Sequence, residues 1–590
     1  MLVSIIWLLS FLVDAVLIAF LFEKRTVASA FVPGVMLVVA FDCVLYGVSS
    51  MVGLSVHLEL ITIVQMLLLF VLVRVCNGVH PRPTKQLIDA IDLVALLVLG
   101  AIVFLCAFKQ FGPSFQIHYT ASDPSRHIFE TWKIVDGGMV SGQFAWWSFT
   151  AMLSQALSGL SIEAPLYKVF ILTDIISLYF SGLLLYAVIK NTASRSTRVL
   201  GVLISALYVI CYPLSVMVYG FCYLGAGVNF LALILFAIVG TDCKAKRYLA
   251  ASLGALGVVT SYSLFAPPVF LALFVYIAYS EWKEARSVKR LMFVEVSFFA
   301  IPVLIGFFIV FLGIFSNLSV SDALATEGGI YKNLFIDFVF CAPFAILGFC
   351  VAVKRSRWSF SVIHAVVFLV YAAVALLLGL MGWISSYYFY KMHFALWLIF
   401  FVFAAGGLYR ILKLDTQVAI CMMAPWIAVA TMCMTGFDAS ASRVAPIFNP
   451  TPGSDVLMPL ATFNRTQVAA TQPYSMDKID LFERFDKALS DNDVHSFAVL
   501  GTYVDIYWFE PIAGRGATDS YYWNLDDGDL NEVYSSSEFI LMLNEPDPSA
   551  DGGSLTTLSG SSPYRLFEAH LDEFETMYEN AAGKVLQRVR

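Results

Sequence analysis

The chain has 590 residues, of which 59% are hydrophobic, 15% aromatic and only 13% charged, and its 36 Lys/Arg against 43 Asp/Glu give a net charge of −7. So apolar a composition at this length excludes a soluble globular protein, and the acidic balance argues against nucleic acid as a partner. What remains is an α-helical polytopic membrane protein.

Apolar runs of about 17–25 residues, the length a helix needs to cross roughly 30 Å of hydrocarbon, recur from Leu2 to Met434. The spans are expected near 2–22, 30–52, 57–76, 90–108, 165–189, 198–219, 222–240, 248–262, 264–280, 291–313, 333–353, 358–380, 392–408 and 416–434, about fourteen in all. The first has neither a basic start nor a small-residue cleavage site and is expected to be a retained helix. In the eighth and ninth, Ser261-Tyr-Ser-Leu-Phe-Ala-Pro-Pro268 punctuates one apolar run, which leaves either two short helices or one broken one.

Basic residues gather in alternate connections: Lys24-Arg25, Arg74 to Lys85, Lys190 to Arg198, Lys244 to Arg247, Lys283 to Arg290, Lys354 to Arg357, and Arg410 with Lys413. These connections are expected to be cytoplasmic. The connections near 109–164, 314–332 and 381–391, and the tail after Met434, then fall on the extracytoplasmic side of the plasma membrane. Residues 435–590 hold ten Lys/Arg and twenty-four Asp/Glu, a net of −14 against +7 for the remainder. Such a tail is repelled by anionic headgroups and is expected to form an exported soluble domain.

Four regions follow: extra transmembrane helices over 1–89, a transmembrane module over 90–434, a linker over 435–474 and a small α/β domain over 475–590. In the last, Met476–Ser490 reads as an amphipathic helix, Ser496–Leu500 and Phe539–Leu543 as strands, and Pro563–Tyr578 as a second helix. All ten cysteines precede the tail, so it carries no disulfide. Phosphate-loop, dinucleotide and zinc-ligand spacings are absent, and the sequence names no cofactor; a divalent-metal requirement stays open.

The chemistry is therefore sought in the extracytoplasmic connections. The first contains His118-Tyr-Thr-Ala-Ser-Asp-Pro-Ser-Arg-His127, followed by an amphipathic piece near Ile128–Val135, then Trp146-Trp147 ahead of a semi-polar helix near 149–159. Asp123 is the candidate catalytic acid or base, with Arg126 and His127 beside it; locally, Asp-Pro-Ser also reads as a turn or a helix start. A second group is Trp383-Ile-Ser-Ser-Tyr387-Tyr388-Phe-Tyr390-Lys391-Met-His393. There a lysine suits a phosphate and tyrosines suit its oxygens or a sugar face, although an aromatic belt with a snorkelling lysine has the same composition. Asp322 and Glu327, near Gly328-Gly329, are lower-ranked acids of a substrate-binding loop. Asp14, Asp42, Glu59, Asp174, Glu295 and Asp337 lie in or near apolar spans, where a charge must face protein or a cavity.

An acid in the context Asp123-Pro-x-x-His127, the stretch Tyr262-Ser-x-Phe-Ala-Pro267, an extracytoplasmic Tyr387-Tyr388-x-x-Lys391 and an α/β tail, in that order, resemble bacterial membrane glycosyltransferases of the GT-C fold. The likeness is closest to multi-span actinobacterial-type members that use polyprenyl-phosphate sugars. Three spans precede the usual start of the module. The resemblance implies Asp123 as the catalytic base or acceptor-orienting acid, Lys391 on the lipid phosphate, and Tyr387 and Tyr388 in support. It also implies a polyprenyl-phosphate-sugar donor and an envelope glycan, lipid or protein acceptor. A transporter or lipid-linked-sugar flippase fits the intramembrane acids and the Pro-broken span as well.

Overall fold

The computed structural model describes all residues except 23–25, 79–86, 120–121, 139, 141, 193–194, 314–333, 436–472, 518–521, 546–554 and 590. Asp322, Glu327 and nearly all of the expected linker lie outside the described residues. The chain is an α-helical polytopic membrane protein with a small C-terminal α/β domain, and it divides into two compact units. One comprises Met1–Gln110, Lys133–Glu163 and Leu172–Ala470; the other comprises Phe111–Trp132, Ala164–Ile171 and Thr471–Arg590.

The first unit is helical. It contains α1 (Leu2–Leu21), α2 (Val27–Met51), α3 (Leu58–Gly78) and α4 (Ala90–Phe111, all but its last residue). The chain leaves it and returns within α5 (Asp123–Gly137) and α7 (Leu166–Thr192), which flank α6 (Ala145–Gly159). There follow α8 (Arg195–Val209), α9 (Tyr212–Tyr219), α10 (Cys222–Gly240), α11 (Lys244–Ser261), α12 (Ala266–Ala285), α13 (Val288–Glu295) and α14 (Ile301–Gly313). Four longer helices close the unit, Leu334–Ser356, Phe360–Leu380, Tyr387–Leu414 and Thr416–Thr435. Among the described residues, eleven helices are long and apolar enough to cross a membrane. Side chains such as Phe104, Leu97 and Phe293 stay exposed on them, as hydrocarbon-facing groups do.

The punctuated run resolves into two helices. α11 stops at Ser261, Tyr262 is extended, a 3₁₀ turn covers Ser263–Phe265, and prolines in the first turn start α12 where a missing N–H costs nothing. Between α13 and α14 one π-helical turn spans Val296–Ala300, and Ser252 of α11 donates its hydroxyl to the Phe298 carbonyl at 2.6 Å. Helices Leu334–Ser356 and Tyr387–Leu414 pack backbone to backbone: a Cβ on Gly348 would overlap the Phe403 carbonyl, and one on Gly407 the Phe344 carbonyl. This contact fixes the helix that carries Lys391.

Charge inside this unit is mostly paired. Buried Lys190 reaches Asp89 at 3.0 Å and also Asp92, while Arg198 meets Asp89 at 3.2 Å and Tyr186 donates to Asp92 at 2.8 Å. Glu281 is held by Lys244 and Arg290, both at 2.9 Å.

The second unit is built on a four-stranded sheet of order β1-β2-β4-β3, with β1 (Phe497–Leu500) parallel to β2 (Phe539–Leu543) and the pairs β2–β4 and β4–β3 antiparallel. β1 and β2 lie where the sequence places them, and the helix expected at Met476–Ser490 runs from Met476 to Asp491. Pro563–Tyr578 is not one helix. It ends at Glu568, and Phe574–Asn580 is β3, hairpinned to β4 (Gly583–Arg588). Phe574-Glu-Thr-Met-Tyr-Glu579 carries β-branched and aromatic residues that a strand accommodates better than a helix, and antiparallel pairing with β4 outweighs the local helical reading. Gly583 is required where β4 meets β2, because a Cβ there would overlap the Met542 carbonyl.

Candidate functional site

Lys391 occupies the second turn of the Tyr387–Leu414 helix and is wholly buried. Its Nζ lies 3.6 Å from the ring centroid of Phe221 and 4.8 Å from that of Tyr387. A cation over an aromatic face is stabilised by about 2 kcal/mol when water is excluded. Phe221 is placed by its own local structure: α9 ends at Gly220 in the left-handed region, at φ 71°, and Phe221 N–H donates back to Val216 O at 2.9 Å before α10 begins. Glycine suits that turn because it lacks a Cβ.

Around this lysine the rings continue. Tyr219 stacks on Phe221 with centroids 5.3 Å apart, Phe221 neighbours Tyr223 at 6.1 Å, and Tyr223 neighbours Tyr262 at 5.7 Å. Tyr387 and Tyr388 pack edge to face at 5.7 Å, and their helix packs against the Ser263–Phe265 turn. Three stretches remote in sequence, 219–223, 262–265 and 387–391, therefore converge. The sequence singled out the second and third but not the first. Its signal was the run Tyr219-Gly-Phe-Cys-Tyr223, glycine flanked by rings between two apolar spans.

A narrow cavity is lined by Phe394, one turn beyond Lys391, and Gly225, one turn beyond Phe221, together with Asp174, Ser177 and Ser181 of α7 and Tyr208 of α8, among others. Asn229 ties its polar wall together, donating to Ser177 O and Oγ at 3.1 Å and accepting from Ser181 at 2.7 Å. Asp174 thus faces protein and a cavity rather than lipid; the Asp337 side chain lies outside the described residues.

Asp123 belongs to the second unit. It is exposed and opens α5, with Pro124 and Ser125 buried behind it. The turn-or-helix-start reading holds locally: Ser125 N–H and Oγ both donate to Ser122 O, at 3.0 and 2.7 Å. Arg126 turns to Glu130 at 2.7 Å and lies 5.6 Å over the Phe129 ring; His127 is half-buried, and its carbonyl accepts from Thr131 at 2.8 Å.

Residues from the tail hold this segment in place. Tyr474 N–H donates to Ile117 O at 2.7 Å, and Tyr119 stacks on Trp508 with centroids 6.4 Å apart and planes 11° from parallel. Phe129 stacks on Trp132, and the close approach of Trp132 to Gly514 leaves no room there for a Cβ. Tyr474 Oη and Lys478 Nζ both donate to buried Asp505, at 2.9 and 2.6 Å, and Asp505 caps its own helix through Thr502. Burial and then the charge of Asp505 push the Tyr474 hydroxyl well above its ordinary pKa. The base candidate and the tail are thus one folded body. Among the described residues no group of three or more His, Cys, Asp or Glu side chains gathers into a metal cluster.

No protein-family model matches the chain, and no curated protein matches it. Among solved structures it is similar to the oligosaccharyltransferase AglB of Archaeoglobus fulgidus in complex with an inhibitory peptide and a dolichol-phosphate, at 10% identity and a TM-score of 0.44, over 76% of this chain and 69% of that one. The oligosaccharyltransferase of the same organism tethered to an acceptor peptide gives 12% and 0.46 over 76% and 69%; its complex with zinc and sulfate gives 10% and 0.45 over 83% and 73%. Likeness of this extent assigns no chemistry to this chain.

Proposed function

We propose that the chain transfers a sugar from a polyprenyl-phosphate-linked donor to a bacterial cell-envelope glycan, lipid or protein acceptor, on the extracytoplasmic face of the plasma membrane. The observation that carries this reading is the buried Lys391 ammonium over the rings of Phe221 and Tyr387, in a cluster of rings that continues through Tyr223 to Tyr262 and through Tyr387 to Tyr388. A compact cation at an apolar, ring-lined position suits a lipid phosphate: the charge attracts the phosphate while the rings accept prenyl carbon or a sugar face. Tyr387 and Tyr388 support the same group.

A phosphate leaving group carries its own activation, so no nucleotide is needed. The protein has to stabilise the charge that develops on the phosphate as the glycosidic bond breaks, and to take a proton from the acceptor hydroxyl. Lys391 is assigned the first task and Asp123 the second, with Arg126 and His127 as its surroundings. An exposed carboxylate is open to an acceptor hydroxyl and can accept its proton.

The test uses the purified full-length chain in liposomes, given a polyprenyl-phosphate donor radiolabelled in its sugar and an envelope extract as acceptor. Label moving from the lipid into the acceptor is the expected result. Donor crossing the bilayer with its glycosidic bond intact would replace this reading with that of a flippase.

A further inference from the structure

Two groups of cations at helix ends of the first unit have no part in the reading above. Lys283, Arg286 and Lys289 stand on the corner between α12 and α13, and Lys354, Arg355 and Arg357 on the corner between helices Leu334–Ser356 and Phe360–Leu380; all six are exposed. Packing joins the two corners. α12 lies along the Phe360–Leu380 helix, with Tyr276 edge to face on Phe360 at 5.4 Å and Tyr279 stacked on Trp358 at 4.8 Å, planes 17° apart. Lys283 Nζ lies 6.0 Å from the same Tyr279 ring, so one tyrosine bridges both groups.

The acids of this corner are already engaged. Glu281 and Glu284 of α12 each hold both Lys244 of α11 and Arg290 of α13, at 2.6 to 3.3 Å. The brace fixes the corner and takes up its negative charge. Among the described residues, none of the six exposed cations forms an ion pair.

Helix dipoles account for only part of this arrangement. Cations near helix C-termini, such as Lys283 and Lys354, are locally favourable. Lys289, however, stands in the first turn of α13 and Arg357 just ahead of Phe360–Leu380, at positive helix ends that repel a cation. Arg286 ends α12 in the left-handed region, at φ 48°, its N–H donating back to Trp282 O at 3.2 Å. That conformation is costly for any residue with a Cβ, and a glycine would end the helix without strain. Charge at these three positions works against local stability, and an anion from outside the chain reverses the balance.

The surroundings say which anion. Trp282 and Trp358 are exposed beside the cations, as rings at headgroup level are, and Val288, Met292 and Phe293 of α13 are exposed on either side of Lys289 and Arg290. A soluble anion gains nothing from those apolar surfaces, whereas a phospholipid uses both, its phosphate on the cations and its chains on the apolar side chains. We propose that the joined corner is a binding site for an anionic phospholipid headgroup of the leaflet it adjoins, the one that the basic-residue pattern assigns to the cytoplasm. The site is independent of the transferase reading, and its test needs no enzyme assay.

The full-length chain in detergent is titrated with phosphatidylglycerol or with phosphatidylcholine of the same acyl chains, and retained lipid is counted by native mass spectrometry. Saturable retention of phosphatidylglycerol over phosphatidylcholine is expected. Arg286→Gln should weaken it about 5-fold, the worth of one charge near an anionic lipid surface. Arg74→Gln, which removes a cation expected on the same face near the end of α3, should leave it unchanged. Arg286→Gly should weaken retention as Arg286→Gln does, yet leave the thermal midpoint at or above the parent's, because the backbone strain is relieved. Equal retention of the two lipids, or equal losses from Arg286→Gln and Arg74→Gln, would reduce the corner to the general positive charge of a cytoplasmic face and overturn the proposal. Displacement of the bound lipid by inorganic phosphate at equal concentration would also overturn it, since the corner would then read a free anion.

Discussion

Lys391 and Asp123 present charge in opposite ways. The lysine is wholly buried, its ammonium 3.6 Å from the centroid of Phe221 and 4.8 Å from that of Tyr387, whereas the aspartate is exposed at a helix start. The contrast matches two different tasks. A group that binds a phosphate gains from being stripped of water before the ligand arrives, because attraction strengthens as the local dielectric falls. A group that accepts a proton from an acceptor hydroxyl must be reached by it, and exposure at a helix start provides that access.

The two regions also differ in what fixes them. Lys391 is set by helix packing, through the Gly348–Gly407 contact and the Gly220 turn that delivers Phe221. Asp123 depends on the tail, through the Tyr474–Ile117 hydrogen bond and the Tyr119–Trp508 stack. Trp508→Ala is therefore expected to give the largest effect. Loss of this buried ring should destabilise the second unit by about 3–5 kcal/mol, read as a lower urea midpoint of the tail signal in the full chain. It should also lower turnover with little change in donor binding. Equal losses in turnover and donor binding would break the division of labour.

Phe221→Leu keeps apolar volume but removes the ring face. Donor affinity should fall by about 3- to 30-fold, the range of a cation–π contact from exposed to desolvated, with turnover at saturating donor preserved. An unchanged affinity would mean that the ring merely fills space.

The smallest expected effect is on acid stability. Hydroxyls of Ser559, Ser561 and Thr557 hold the Asp527 carboxyl below its usual range, and His570 and then Arg588 do the same for Glu573. A carboxyl whose pKa is lower folded than unfolded contributes stability above its unfolded pKa of about 4 and loses it as pH falls through the folded value. Both groups are on the surface, so the tail should soften only slightly as pH falls below about 4, as followed by its urea midpoint. A midpoint that rises on acidification would contradict this assignment.

Much of the membrane unit was legible because a helix crossing hydrocarbon needs a long apolar run, and length alone marks one. The pairing of β3 with β4 was not legible: Phe574–Tyr578 read as the end of a helix from Pro563 until the antiparallel partner supplies the ladder. Tyr387, Tyr388 and Lys391 were readable as an aromatic belt with its lysine, and Tyr262 as part of a Pro-punctuated stretch. Phe221 was not, since an aromatic flanked by spans 198–219 and 222–240 looks like membrane filler until the Gly220 turn aims it. Nor could local sequence reveal that Asp123 shares a folded body with residues from Thr471 onward, because that contact depends on Tyr119 meeting Trp508, 389 positions later.

The central claim is that Lys391 holds the lipid phosphate while Asp123 acts only on the proton. The most direct measurement is equilibrium binding of a radiolabelled polyprenyl-phosphate sugar to the purified parent, Lys391→Ala and Asp123→Asn chains, with single-turnover transfer followed on the same samples. Lys391→Ala should lose about 10- to 100-fold in affinity, the worth of a charge-assisted contact. Asp123→Asn should bind as the parent does and transfer about 10²–10⁴-fold more slowly. Parental binding by Lys391→Ala together with parental transfer by Asp123→Asn would contradict the account.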